Sequence, residues 1–289
     1  MINVLFCGDQ HAEDGVLITS LSLKKHVSEP LHLFILTMDK TVAGRHFAPF
    51  RRTTAALIRR EMQAANPASE VDLIDSTPVF DATPPTANLT TRFTPLSMLR
   101  LYADQLDLPD RLLYLDNDVI CRQDFSAFYH QDLEKTELVG VLDHYGKWFF
   151  HNQWQAMDYL NSGILLLNLA EIKRTGLFAA CRDLLAKQQF FMPDQSALNQ
   201  LAREKRLAPR RFNDQRRLHA DTVFQHFTTS FRFFPWVHTL TVKPWQVDAV
   251  HAQLHLYEYD DVLAEYERLA PALRPASSPA TISPALGVG

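Results

Sequence analysis

Short, almost wholly apolar runs alternate along this chain with longer stretches in which apolar residues recur every three or four positions. INVLFC (2–7), LHLFILT (31–37), VDLID (71–75) and RLLYLD (111–116) read as strands. Between them, Val16 to His26, Arg45 to Ala65 with Leu57, Ile58 and Met62 on one face, and Pro95 to Gln105 read as helices. Such a βαβα series predicts a nucleotide-binding α/β sheet. Two further core strands, VGVLD (139–143) and GILLLNL (163–169), flank an aromatic insert, HYGKWFFHNQW (144–154). The insert reads as a loop, and its Trp148, Phe149, Phe150 and Trp154 either stack on the apolar face of a sugar or serve as packing. Helices are expected near Glu171 to Gln188 and Pro193 to Glu204, with a helical extension over 247–270. The tail from 271 to 289 is rich in Pro, Ser and Ala, cannot pack a core, and is expected to be disordered.

The fourth strand ends abruptly in Asp116, Asn117 and Asp118. In an extended chain alternate side chains share a face, so both carboxylates can leave the carboxyl edge of the sheet toward one hard divalent cation. That edge is where open α/β sheets bind ligands. A bare D-x-D also describes an ordinary solvated strand end, and the buried run before it is what favours a site.

Other segments converge on the same chemistry. FCGDQH would put Cys7, Gly8 and Asp9 at the same edge to carry a base and ribose, although Asp9 reads equally well as a turn residue or helix N-cap. Arg100, in TPLSMLRLYADQL, suits a diphosphate, a carboxylate or a surface ion pair. Asn161, Ser162 and Gly163 stand just ahead of a buried strand, where Gly163 permits close backbone approach and Asn161 can donate to a sugar hydroxyl. Asp194 and Gln195 fall in the first turn of a helix opening at Pro193, a place where an aspartate also compensates the helix dipole. HTLTVKPW brings His238, Lys243 and Trp245 into one loop, an imidazole for a metal and an ammonium for a leaving phosphate.

Composition narrows the partners. With 29 Lys and Arg against 33 Asp and Glu there is no global basic field, so nucleic acid is not an expected partner. Three cysteines without C-x-x-C spacing fit reduced core thiols in a cytoplasmic protein. Met1 leads straight into a strand with no signal-peptide pattern, and no apolar run approaches the ~18 residues of a membrane span. One basic run, REKRLAPRRFNDQRR, is either a solvated helix end and loop or a patch from Arg203 to Arg217 that meets anionic lipid or an acidic acceptor at the inner membrane.

In order, these residues resemble glycosyltransferase family 8, which includes bacterial lipopolysaccharide glucosyl- and galactosyltransferases and glycogenin. The resemblance rests on FCGDQH, on Ser97, Arg100 and Leu101, on Asp116 to Asp118, on Asn161 to Gly163, on Asp194 and Gln195, and on Lys243 to Trp245. It spans residues 1–246 and implies a single GT-A domain, a mixed sheet between helices. It further implies a retaining hexosyltransferase using a UDP-sugar and Mn²⁺, with Mg²⁺ as the alternative, and a glycan, glycolipid or lipopolysaccharide-type acceptor. On this reading Asp116, Asp118 and His238 hold the metal. Cys7, Gly8, Asp9, His11, Arg100, Asn117, Asn161, Ser162 and Lys243 bind the donor, and Asp143, Asp194, Gln195 and Lys243 serve catalysis. The chain departs from the family at two places. His11 and Ala12 stand where an Asn-Tyr pair usually supplies a ring for the uracil. Val237 holds the usual metal histidine's place six before the lysine, His238 stands five before, and the loop has no glycine.

Three rivals compete. A haloacid-dehalogenase-like phosphohydrolase would use Asp116 as nucleophile, but that strand normally lies near the amino terminus and predicts neither D-Q nor K-P-W. A nucleotide-sugar pyrophosphorylase would need a Gly-rich first loop. A catalytically silent UDP-sugar-binding relative is raised by the altered histidine loop.

Overall fold

The computed structural model describes residues 1–91, 95–144, 158–215, 217–232 and 238–274. In chain order its first strands are β1 (Ile2–Cys7), β2 (Leu31–Thr37), β3 (Lys40–Val42), β4 (Arg45–Phe47), β5 (Glu70–Asp75) and β6 (Arg111–Leu115). There follow β7 (Val119–Cys121), β8 (Leu138–Leu142), β9 (Leu160–Asn168), β10 (Lys205–Leu207), β11 (Phe224–His226), β12 (Ser230–Arg232) and β13 (His238–Leu240). Seven of them form one sheet in the order β10-β8-β9-β6-β1-β2-β5. Six of the seven run parallel to one another and β9 runs against its neighbours β6 and β8, so the sheet is mixed. The carboxyl ends of β1, β6 and β8 and the amino end of β9 therefore lie at one edge. That topology gathers Cys7 to Asp9, Asp116 to Asp118, Asp143 and Asn161 to Gly163.

The helices are α1 (Glu13–His26), α2 (Arg52–Ala65), α3 (Thr77–Ala82), α4 (Ser126–His130), α5 (Leu169–Thr175), α6 (Leu177–Lys187), α7 (Pro193–Leu201), α8 (Val247–Leu254) and α9 (Asp260–Leu269). They cover both faces of the sheet. Strand β6 shows why its sequence has no polar alternation: Leu113 and Leu115 join one apolar cluster with α1, α2 and α9, while Leu112 and Tyr114 join the other with residues 95–105 and α5 to α7. The extension belongs to the same domain, since α9 buries Val262, Leu263, Tyr266 and Leu269, and the Tyr266 hydroxyl donates to Asp14 Oδ1 at 2.7 Å. Packing continues past residue 270: Ala270–Leu273 form a 3-10 turn and Leu273 is buried. Residues 275–289, most of the tail expected to be disordered, lie outside the described residues, as do 145–157 and with them nearly all of the aromatic insert.

Several boundaries differ from the sequence reading. The helix expected from Arg45 begins at Arg52, because Arg45–Phe47 turns back on Lys40–Val42 through Ala43 and Gly44, both at positive φ (48° and 80°), the signature of a two-residue hairpin turn. Pro95–Gln105 winds as a 3-10 helix. The helix expected over 171–188 is two helices, broken where Gly176 takes a left-handed conformation (φ 72°) and caps the first. Strand β9 starts at Leu160, so Asn161 to Gly163 lie inside it rather than ahead of it. In the basic run, Lys205 pairs with Asp158 at 3.1 Å and Arg210 with Asp214 and Asp221. Among the described residues no helix is long and apolar enough to cross a membrane.

Candidate functional site

A cleft of about 570 Å³ opens at the edge where these strand ends meet, within the usual size of a small-molecule site. Its lining includes Cys7, Gly8, Asp9, His11, Arg100, Asp116, Asn117, Asp118, Asp143, Asn161, Ser162, Asp194, Gln195 and Lys243. Every donor-binding and catalytic residue expected from sequence is therefore in one place. The backbone of His238 lies in β13, paired through Arg232 with β12, and its side chain lies outside what the structure describes.

At the floor of the cleft, Arg100 is 2% exposed yet fully partnered. Its guanidinium donates to the carbonyls of Ser97 (2.9 Å) and Ser162, to Asp116 Oδ1 at 3.0 Å, and faces Asp194 Oδ2 at 3.4 Å. Its Cζ also lies over the Tyr114 ring, 3.7 Å from the centroid, and the Tyr114 hydroxyl donates to Asp116 Oδ1 at 2.6 Å. Burial works against its charge, but Tyr114, Asp194 and Asp116 outweigh it and push the arginine pKa further up. Of the roles open to Arg100 from sequence, the carboxylate one is realised: it fixes one oxygen of Asp116.

Beside it lies a hydrogen-bonded set of polar side chains. Asp143 Oδ2 accepts from Asn161 Nδ2 and from Gln195 Nε2, each at 3.0 Å, and Gln195 Oε1 accepts from the Ser162 backbone at 2.9 Å. Asp194 accepts from the Ser162 hydroxyl at 3.2 Å, and burial, reinforced by Asp116 and opposed by Arg100, pushes its carboxyl pKa up. Helix α7 presents Asp194 and Gln195 from its first turn, close to the amino end of β9.

On the opposite wall, Asp9 caps the short turn Gln10–Ala12: its carboxylate accepts from the His11 backbone at 2.9 Å and stands 3.1 Å from His11 Nδ1. Asp9 is thus an N-cap that also lines the cleft, while the His11 ring is mostly exposed above it. Gly8 lets this turn close, since a Cβ there would collide with Ala12 Cβ. The Cys7 thiol is pushed up to about 12 by burial, so it lies in the wall as a neutral group.

The aspartate pair gains a partner that sequence did not single out. Strand β11 pairs antiparallel with β7, placing His226 opposite Val119, and the Phe227 backbone donates to Asp118 O at 2.9 Å. His226 Nε2 then lies 3.1 Å from Asp118 Oδ1 and 3.6 Å from Asp116 Oδ2. One ligand atom from each of Asp116, Asp118 and His226 lies within 4.8 Å of the others, a spacing and a donor set that fit a hard divalent cation such as Mn²⁺. Lys243 Nζ pairs with Asp118 Oδ2 and donates to the Phe227 carbonyl at 3.0 Å. Burial raises the Asp118 pKa, but His226 and Lys243 more than reverse this and hold the carboxylate well below its ordinary range. The only sequence signal for His226 was a histidine in a short apolar run, FQHF, which on its own does not mark a ligand.

Gly163 makes the assembly possible. A Cβ at this position would collide with the His226 ring and stand 2.8 Å from Asp116 Oδ2. Gly163→Ala is therefore expected to push the ring and carboxylate apart and to weaken Mn²⁺ binding by about 10–100-fold, the usual effect of disturbing what orients a metal site. A calorimetric Mn²⁺ titration checks it.

A mixed α/β sheet with an acidic strand end, a buried arginine and a lysine at one cleft defines a glycosyltransferase of the GT-A kind once the comparisons are added. Residues 3–249 match the profile of Glycosyl transferase family 8, and the chain belongs to that family. Among solved structures it is similar to the galactosyltransferase LgtC in complex with donor and acceptor sugar analogs, at 18% identity and a TM-score of 0.64, covering 96% of this chain and 98% of that one. It is also similar to the glycosyltransferase GlyE of Streptococcus pneumoniae TIGR4, at 19% identity and a TM-score of 0.61, covering 96% of this chain and 66% of that one. Mouse xyloside xylosyltransferase 1 is a further likeness, at 14% identity and a TM-score of 0.53 over 78% of this chain and 96% of that one. These likenesses establish the fold. No curated protein matches the chain by sequence.

Proposed function

We propose that this glycosyltransferase moves a hexose, glucose or galactose, from a UDP-sugar to a hydroxyl of a glycan, glycolipid or lipopolysaccharide-type acceptor, with retention and with Mn²⁺ or Mg²⁺ on the diphosphate. The observation that carries the reading is the meeting, in one cleft, of the Asp116–Asp118 pair with Lys243 on one side and the Asp143–Asn161–Gln195 set on the other. The first suits a diphosphate and the second a ring of hydroxyls. That LgtC, of the same fold, was seen with donor and acceptor sugar analogs supports the pairing.

When bound, the cation neutralises the diphosphate. The rest falls to the chain. Lys243, an ammonium beside the carboxylates, meets the negative charge that grows on the leaving UDP as the anomeric bond breaks toward an oxocarbenium-like state. Asp143, Asn161 and Gln195 hold the donor sugar, and Asp194, behind Ser162, shields its far face. The acceptor hydroxyl arrives on the same face as the departing phosphate, which takes its proton, so no strong base is required. Cys7, Gly8, Asp9 and His11 border the place for the nucleoside. Exposed Arg203, Arg211 and Arg217 offer a cationic face to anionic lipid or an acidic glycan, which keeps the enzyme peripheral at the cytoplasmic side of a membrane.

The phosphohydrolase reading fares worse, because residues 3–249 match Glycosyl transferase family 8. The test is UDP release from UDP-glucose, UDP-galactose and UDP-N-acetylglucosamine with Mn²⁺ and with chelator. Metal-dependent UDP release from one of the first two is expected. Phosphate release from simple esters would indicate the hydrolase, and donor binding without turnover a silent homologue.

A further inference from the structure

Strand order sets out what lies beside what along the binding edge. Strands β9, β6, β1 and β2 are successive neighbours. Asn161 to Gly163, the aspartate pair, Cys7 to Asp9 and the segment that leaves β2 therefore follow one another in that order. Neighbouring strands are about 4.8 Å apart, which puts the end of β2 about 10 Å from the aspartates, on the side away from Asn161. A nucleotide whose diphosphate sits at Asp116 and Asp118, with its sugar toward Asn161, then carries its ribose past β1 and its base toward β2.

The segment that leaves β2 is the hairpin β3–β4, and the chain after it is tied to the end of β1. The Gln10 backbone donates to the Ala48 carbonyl at 3.2 Å, Asp9 bridges Pro49, and the Phe50 backbone donates to Thr37 Oγ1 at 2.8 Å. Strand β4 opens with Arg45, which lines the cleft with Asp9 and His11. Its Cζ lies 4.8 Å from the centroid of the Phe47 ring, and Phe47 is 3% exposed, so the guanidinium is braced against the core. Arg51 is committed to Glu13 and Arg100 to Asp116, whereas the Arg45 guanidinium has no ion pair or hydrogen bond among the described residues. Its N–H groups all remain available to a ligand.

From this we infer that Arg45, on β4, is the residue that selects the nucleobase of the donor, its guanidinium donating to the carbonyl edge of uracil. Uracil presents a carbonyl oxygen where cytosine presents an amino group. A guanidinium only donates, so it attracts the first and opposes the second. The inference rests on the UDP-sugar reading of the cleft and adds the side chain that chooses the base, on a hairpin outside the central sheet.

The test is calorimetric titration of the full chain with UDP, CDP and inorganic pyrophosphate, each in the presence of Mn²⁺. Wild type is expected to bind UDP about tenfold or more tightly than CDP, the discrimination of one matched base edge against one opposed. Arg45→Ala should weaken UDP binding about tenfold, bring the UDP and CDP affinities together and leave pyrophosphate unchanged. The side chain is exposed, so its removal leaves the fold in place. Arg45→Gln, whose amide both donates and accepts, should bind UDP and CDP about equally, a loss of selectivity that a structural role does not produce. Wild type that binds CDP as tightly as UDP would overturn the inference and leave the transferase reading intact. So would a UDP-to-CDP ratio unchanged in Arg45→Ala, or an equal loss of UDP, CDP and pyrophosphate binding in that variant. Wild type that binds neither nucleotide would overturn the inference and the UDP-sugar reading together.

Discussion

Replacing Asp116 or Asp118 by alanine is expected to abolish transfer while the fold survives. The two carboxylates leave the sheet after β6 and pack against the cleft, and neither belongs to an apolar cluster. Asp116→Ala frees one arm of Arg100, which keeps Asp194 and the carbonyls of Ser97 and Ser162. Asp118→Ala strands no buried cation, because the Lys243 side chain is 26% exposed and can turn to water. Asp116→Ala also leaves the buried Tyr114 hydroxyl without its acceptor, so each variant should lose about 1–3 kcal/mol of stability, the scale of a buried group deprived of a hydrogen-bond partner. Transfer should fall far more. Charge stabilisation by a metal is worth several kcal/mol, and about 4 kcal/mol corresponds to roughly a thousandfold in rate. Thermal melts alongside the UDP-release assay decide the outcome. Activity that falls only in step with melting temperature would make both aspartates structural.

The sheet was legible because its central strands are apolar on both faces: six runs read from the sequence became six of its seven strands. What the sequence did not disclose was direction. That β9 runs against β6 and β8 is a matter of topology, and it is this reversal that brings the amino end of β9, with Asn161 to Gly163, to the carboxyl ends of the others. Most donor-side residues could be named because they stand at or near a strand or helix end, as Cys7, Asp116 and Asp194 do. His226 could not, since β11 is three residues long and its place beside Asp118 depends on pairing with β7 across about a hundred residues of chain. No local pattern encodes such a contact. Likewise the two-residue turn at Ala43 and Gly44 overrode a helical pattern, because pairing of β3 with β4 satisfies backbone groups that a longer helix would otherwise have used. The basic run read either as a solvated helix end and loop or as a patch, and Lys205 and Arg210 are spent on ion pairs within the molecule, which a charge count does not reveal.

The opposite signature is expected at Arg100, where stability rather than chemistry should fail first. Arg100→Met keeps volume and apolar contact but leaves Asp194, 5% exposed, without the cation that offsets its burial. Removing one member of a buried charge set typically costs about 3–5 kcal/mol, which for a domain of this size lowers the melting temperature by roughly 10 °C. Arg100→Lys should recover only part of this, since one ammonium cannot meet Asp116, Asp194 and two carbonyls as the planar fork does. The deficit should also depend on pH in a definite sense. The Asp194 pKa is already raised in the folded protein, and losing Arg100 raises it further, so the native state binds a proton more readily than the unfolded chain. The penalty is then full above the raised folded value and fades as pH falls toward the ordinary carboxylate range near ~4. Denaturant melts of wild type and Arg100→Met at pH 7 and pH 5 measure the gap directly, and it should narrow at pH 5. A variant that melts within 2 °C of wild type, or whose deficit grows on acidification, would show that the arginine is not what holds these carboxylates in the floor of the cleft.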